Sequence, residues 1–142
     1  MPGMSPDELY AFLNRTNPPL LGVVGTQRED GWPHLVPVWY RFDGRAVHIW
    51  THAERAWVRN CRRDDRVAFS VQEDRPPYAA AIMRGNATVA SGDGAEISAE
   101  IRRITARYVA ESEVDTYIAG WPGLRTIVTI TPVQTASWVI GY

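Results

Sequence analysis

Apolar and polar positions alternate in short runs along most of this chain, and each run ends in glycine, proline or a charged turn. Leu20 to Thr26 is mostly apolar and β-branched, and Arg28-Glu29-Asp30-Gly31 supplies a tight turn of the Asp-Gly type. Pro33 to Phe42 reads as the next strand. Pro37 has no amide donor, which predicts an edge, a bulge or an irregular stretch at that point. Asp43-Gly44 turns the chain again, and Ala46 to Thr51 is a third strand. Two hairpins in a row predict an antiparallel meander. Val67 to Gln72, then Ala79 to Ala90 with a bulge near Gly85, then Arg125 to Thr131 and Gln134 to Ile140, continue the strand pattern. The total is about six strands, with Gln134 to Ile140 as a further candidate.

Helical periodicity appears between them. Ser5-Pro6-Asp7-Glu8 is a capping box with proline in the first turn, and it opens a helix over 5–14 with Leu9, Phe12 and Leu13 on one face. Asn17-Pro18-Pro19 stops it. Glu54 to Arg62 reads as a short helix on which Arg55, Arg59 and Arg62 share a face. Asp93 and Glu96 resemble a second box, opening a helix to about Glu111 with Ile97, Ile101, Ile104 and Tyr108 on one side. Val114, Tyr117 and Ile118 form a further turn. The first strands are joined by turns too short for parallel crossovers, which excludes a βαβ winding. The expected fold is mainly β with short helices, an antiparallel barrel with its core over about residues 20–140.

Composition narrows the function classes. The chain has 142 residues, the size of a single domain, with 15 basic and 16 acidic residues and net charge −1. Such a balance argues against binding nucleic acid through excess positive charge. Every basic residue is arginine, so a lysine base or Schiff base is excluded, and an anion site must use arginine, amides or hydroxyls. Cys61 is the single cysteine, which rules out an internal disulfide and fits a reducing cytoplasm. The opening MPGMSPDELY lacks the basic and apolar regions of a signal peptide, and no window has the length of a membrane span. Six tryptophans and six tyrosines suggest a flat ligand or a subunit interface.

Several chemical motifs are missing. There is no GxGxxG after the first strand, no GxxxxGK[ST] and no HExxH. His48 and His52 lie on a strand rather than a helix, so their four-residue spacing does not make a metal site. His34 reads as a polar strand residue, with Tyr40 and Tyr78 the other weak acid–base candidates. Cys61 sits beside arginines that can lower its pKa, or it is an inert, partly buried thiol. The one constellation with chemistry is Val47-His48-Ile49-Trp50-Thr51 leading into Arg55, Arg59, Arg62 and Arg63. A hydroxyl, helix-start amides and arginine can hold a phosphate. The same residues also fit a solvated helix face neutralised by Asp64 and Asp65.

At this point the sequence resembles the pyridoxamine 5'-phosphate oxidase-like split β-barrel superfamily of flavin and deazaflavin oxidoreductases. The likeness rests on four segments: Gly25-Thr26 through Asp30-Gly31-Trp32-Pro33-His34 to Val36-Pro37-Val38-Trp39-Tyr40; Val47 to Thr51; Arg55 to Val67; and Pro77-Tyr78 to Arg84-Gly85-Asn86-Ala87-Thr88-Val89. It is similar in particular to the short actinobacterial group described as F420-dependent. The resemblance implies an FMN-binding-protein-like split barrel and a homodimer with the cofactor in a groove between subunits. It implies that Val36, Pro37, Val38 and Trp39 run beside the ring. Trp50 and Thr51 then lie near the ribityl-phosphate arm, Arg55 and Arg59 face the phosphate, and Arg84 is a further contact. Pro76-Pro77-Tyr78, Trp121 and Trp138 are candidates to close the groove, with dimer-core packing the alternative for both tryptophans.

One position departs from the family pattern. Trp57 stands where relatives commonly carry a phosphate-touching lysine, and an indole there removes a donor or stacks on a flat ring. The resemblance therefore leaves F420 and FMN as the cofactors, F420 ahead, with haem as a further ligand. The implied activity is hydride transfer to or from a small conjugated substrate. The alternatives are a non-catalytic carrier of flavin, F420 or haem, and a structural or regulatory dimer. The C-terminal Ser137-Trp138-Val139-Ile140-Gly141-Tyr142 lacks the Arg-x-His ending expected of pyridoxine phosphate oxidase itself.

Overall fold

The computed structural model describes residues 3–140. Helix α1 (Pro6–Leu13) starts as its sequence predicts: the Ser5 hydroxyl accepts from the Glu8 amide while the Glu8 carboxylate accepts from the Ser5 amide. Strands β1 (Gly22–Gln27) and β2 (Pro33–Val38) form the first hairpin, with Gly31 at φ 89° in its turn. The short β3 (Arg41–Phe42) pairs with β4 (Val47–His52) across a turn in which Gly44 has φ 99°.

The remaining elements are α2 (Ala56–Arg63), β5 (Arg66–Glu73), β6 (Tyr78–Ser91), α3 (Ala95–Thr105), a 3-10 turn at Glu111–Glu113, α4 (Val114–Ala119) and β7 (Arg125–Ile140). All strands join one antiparallel sheet in the order β2-β1-β5-β6-β7-β4-β3. Among the described residues no helix is long and apolar enough to cross a membrane.

This order corrects the expected meander. The run from Pro33 to Phe42 is not one strand. It breaks at Trp39-Tyr40, after Pro37 rather than at it, and the two hairpins end at opposite edges of the sheet. The reason is side-chain placement. Tyr40 turns inward, fully buried, with its hydroxyl donating to the Leu13 carbonyl and its ring edge-on to Phe69 at 5.1 Å. Trp39 turns the opposite way, onto the helices that follow β6.

Two further expectations change. Arg125 to Ile140 is a single strand, because the irregularity near Gly85 absorbs the disruption at Pro132: Arg84 pairs with Gln134 but Gly85 with Pro132, leaving Val133 as the extra residue. The bulge expected near Gly85 is present, and its extra residue lies on the partner strand. Helix α3 begins at Gly94 with no side-chain cap and ends at Thr105, so Asp93 makes no box and the helix stops short of Glu111.

The main core lies between the sheet and α2, where Leu13, Val24, Val58, Phe69, Met83 and Ile130 are buried together. A smaller cluster of Ile101, Ile104 and Ile127 carries Trp39 and Trp50 on its flank. Arg41 on β3 ties α3 to the sheet through a paired contact with the Glu100 carboxylate at 2.7 and 2.5 Å. Burial favours the neutral acid at Glu100, but the Arg41 guanidinium outweighs it and holds the carboxyl below its ordinary range.

Candidate functional site

The break after Val38 makes the site. It turns the Trp39 indole into a stack between Tyr108 at 4.7 Å (interplanar angle 3°) and Tyr117 at 4.8 Å (29°). Behind this stack the Tyr108 hydroxyl donates to the Leu20 carbonyl at 2.6 Å. The Arg107 guanidinium lies over the rings of Tyr40 and Tyr108 and donates to the carbonyls of Leu13, Arg15 and Tyr40. Burial raises the Tyr108 phenol pKa, so it remains a donor. Trp50 completes the wall. Its Nε1–H donates to Thr105 Oγ1 at 3.1 Å, whose own hydroxyl donates to Ile101. Hydrogen bonds fix Trp50 and Tyr108 from behind, and Tyr108 in turn holds Trp39 by stacking, so this part of the wall is preorganised.

A cavity of about 630 Å³ opens in front of these rings, between β2, the end of β4, the start of α2 and the turn after α4. That size suits a drug- or cofactor-sized molecule. Trp121 closes one side. Its carbonyl accepts from His52 Nε2 at 3.1 Å and from Arg125 Nη2 at 3.4 Å, and its ring lies 6.2 Å from that of Tyr117. The opposite end holds Thr51, Arg55 and Ala56. Arg55 is the N-cap residue of α2 and is exposed, and no described carboxylate pairs with it. Hydrogen bonding inside α2 starts with Val58, so the amides of the first turn face the same end. Among the described residues no aspartate, glutamate or thiol lines the cavity; the titratable side chains that line it are His34, His52, Arg55 and Tyr117. The arrangement can hold a flat, conjugated molecule with an anionic arm.

The structure brings Val36, Pro37, Val38, Trp39, Trp50, Thr51, Arg55 and Trp57 to this one cavity. Arg59 and Arg84 are not among the lining residues. Arg59 turns back toward the helix start and donates to the Glu54 carbonyl, so its guanidinium is held there. Arg84 lies on the exposed face of β6, opposite Ala68 and Gln134. Trp57 is only 4% exposed and belongs to the core, so it is a packing residue that shows the cavity one edge. Tyr40 is buried away from the site, and burial pushes its phenol pKa well up. Trp138 pairs with Ala80 far along β7 and does not line the cavity. Burial pushes the Cys61 thiol up to about 11 against the opposing charge of Arg62, which decides for the inert thiol.

Sequence reasoning missed Leu21, His52, Ala56 and Tyr117 and gave His34 little weight. His34 carried the only usable signal: it alternates with Val36 and Val38, so all three share a face of β2. Tyr117 and His52 reach the site only through tertiary packing.

The model of the pyridoxamine 5'-phosphate oxidase family matches residues 5–139. A conserved hypothetical protein from Mycobacterium tuberculosis is 27% identical, with TM-score 0.76 over 96% of this chain and 85% of that one. An F420 reductase superposes with TM-score 0.65 at 22% identity, covering 89% of this chain and 95% of its own. An FAD-binding protein from Mesorhizobium loti does so with TM-score 0.67 at 16% identity, covering 96% and 95%. The antiparallel sheet with its short helices is thus a split β-barrel of the oxidoreductase-like class. The chain belongs to the pyridoxamine 5'-phosphate oxidase family.

Proposed function

We propose that this protein binds F420 or FMN in the aromatic-walled cavity and acts as an oxidoreductase on a small conjugated substrate. The observation that carries the reading is one cavity with stacked rings on its wall and an unpaired arginine at a helix start on its end. The residues present fit such a group. Arg55, Thr51 and the first amides of α2 would hold the phosphate. Trp39, Trp50, Tyr117 and Trp121 would bound the ring, and the backbone of Val36–Val38 would run along its edge. When bound, the cofactor supplies the hydride chemistry. The chain's own part is to bind, orient and exclude water. The lining side chains include no carboxylate, so the reading takes the substrate proton from solvent. F420 is favoured by the likeness to an F420 reductase.

The reading includes a homodimer. The outer sheet face presents Leu35 at 67%, Ile82 at 44% and Val23 at 36% exposure. Register places Pro37, Val23, Ser70, Ile82 and Ala136 in one row across neighbouring strands. An apolar row of this kind suits a second copy, and Leu21 and Pro37 would join it to the cavity. The second reading is a carrier that holds the cofactor without turnover, favoured by the lack of a carboxylate or thiol at the site.

The test is titration of the protein with FMN and with F420, followed by quenching of its tryptophans. Arg55→Ala is expected to weaken binding about 10- to 100-fold, the worth of a charge-assisted hydrogen bond. Arg59→Ala is expected to leave it unchanged. Unchanged affinity in Arg55→Ala overturns the assigned phosphate end. Sedimentation at micromolar concentration reads the dimer. Bound cofactor that no donor–acceptor pair can reduce and reoxidise selects the carrier. If neither cofactor binds, haem is the next ligand to titrate.

A further inference from the structure

A polar group sits behind the cavity, in a region otherwise filled with apolar side chains. Asn60 on α2 is 7% exposed and Thr26 on β1 is 4% exposed. Arg63 Nη2 donates to Asn60 Oδ1 at 3.0 Å and to the Gln27 carbonyl at 2.6 Å. The oxygen of the Asn60 amide is thereby committed to Arg63, and its nitrogen must face the other way. That nitrogen donates to Thr26 Oγ1 at 3.1 Å and lies 3.5 Å from His34 Nδ1. An amide nitrogen has only hydrogens to offer, so the His34 nitrogen facing it must accept. The ring hydrogen then belongs on Nε2.

We infer that His34 is a hydrogen-bond donor of the cavity through Nε2, its tautomer set from behind by Asn60. His34 lines the cavity on the same face of β2 as Val36 and Val38. The chemical class it takes is an acceptor oxygen on the bound molecule, a phosphate oxygen or a ring carbonyl. Asn60 is a positioning residue: it touches no ligand and acts through the imidazole. Arg63 has the same standing one step further back, because it fixes which way the amide points. The arrangement accounts for a buried asparagine on a helix face otherwise given to Trp57, Val58 and Cys61. The claim that His34 donates to a ligand rests on the cofactor reading; the tautomer claim stands on its own.

The experiment is a long-range proton–nitrogen correlation spectrum of the histidine rings in the full chain, with His34 assigned by its loss in His34→Gln. In the ligand-free protein the His34 ring is expected as the Nε2–H tautomer. Asn60→Asp puts an acceptor where the donor was and is expected to move the hydrogen to Nδ1. A His34 ring already carrying its hydrogen on Nδ1, or a pattern that Asn60→Asp leaves unmoved in a folded variant, overturns the assignment.

FMN and F420 are then added to the same sample. A shift of the Nε2 resonance supports the donor role. His34→Phe is then expected to weaken binding about 5- to 10-fold, as for one neutral hydrogen bond, with His34→Gln recovering part of it. If a cofactor binds by tryptophan quenching but Nε2 does not move, the donor role falls and the cofactor reading stands. If neither cofactor binds the native protein, both fall, and only the tautomer result remains to be judged.

Discussion

Gly85→Ala tests the register of the two longest strands. A Cβ at residue 85 would lie 2.2 Å from the Thr131 carbonyl oxygen, 2.8 Å from its carbon and 2.9 Å from Pro132 Cα. Optimal carbon contacts lie at about 3.5–4.0 Å. All these neighbours are backbone of β7, so none can rotate away, and β6 and β7 must separate by about 1 Å at the bulge. Overpacking of this kind costs about 1–3 kcal/mol, and the stiffer unfolded chain adds about 0.4–1 kcal/mol of opposing effect only where alanine fits. It does not fit here, so the expected loss is about 2–3 kcal/mol. At this chain length that lowers Tm by about 4–12 °C.

Urea unfolding should show a lower midpoint with an unchanged slope, since the surface exposed on unfolding is the same. Gly94→Ala is the comparison, because no atom lies within 4 Å of the added Cβ. Its expected cost is about 1 kcal/mol or less. A Gly85→Ala protein as stable as Gly94→Ala would refute the close approach, and with it the account of how one strand runs through Pro132.

Partial burial favours the neutral form of Asp43, yet His48 Nε2 at 2.7 Å and the amides of Ala46 and Arg45 hold its carboxyl at about 2. A folded-state value below the unfolded one contributes stability above about pH 4 and loses it as pH falls toward about 2. After discounting for screening of a one-third exposed carboxylate, the contribution is about 1 kcal/mol. Asp43→Asn should therefore be less stable than the native protein at pH 7, with the gap closing near pH 2; an equal gap at both values sinks this account. Cys61, buried at 3% exposure, should react with a thiol reagent at pH 8 only at the rate of unfolding. Rapid labelling of the folded protein would place the thiol at the surface.

Local chemistry carried much of the fold into the sequence. The capping box at Ser5 and the tight turns at Gly31 and Gly44 are decided by residues close together in the chain. For the same reason Val36 to Trp39 and Trp50 to Arg55 could be read as site segments: each is contiguous, and a strand running into a helix start presents its side chains predictably. Arg59 and Trp57 show where that ends. Both lie within a turn of Arg55, but which face of α2 meets the core is settled by β1 and β6, not by α2.

The sequence by itself determined the antiparallel strand and short-helix pattern, its tight turns and the absence of lysine from any anion site. Tertiary structure alone decided the sheet order, because at Trp39-Tyr40 two neighbouring aromatic side chains find partners on opposite sides: Leu13 and Phe69 for one, Tyr108 and Tyr117 for the other. Those partners lie up to 78 residues along the chain, and no local pattern encodes a contact whose free energy depends on burial between distant segments.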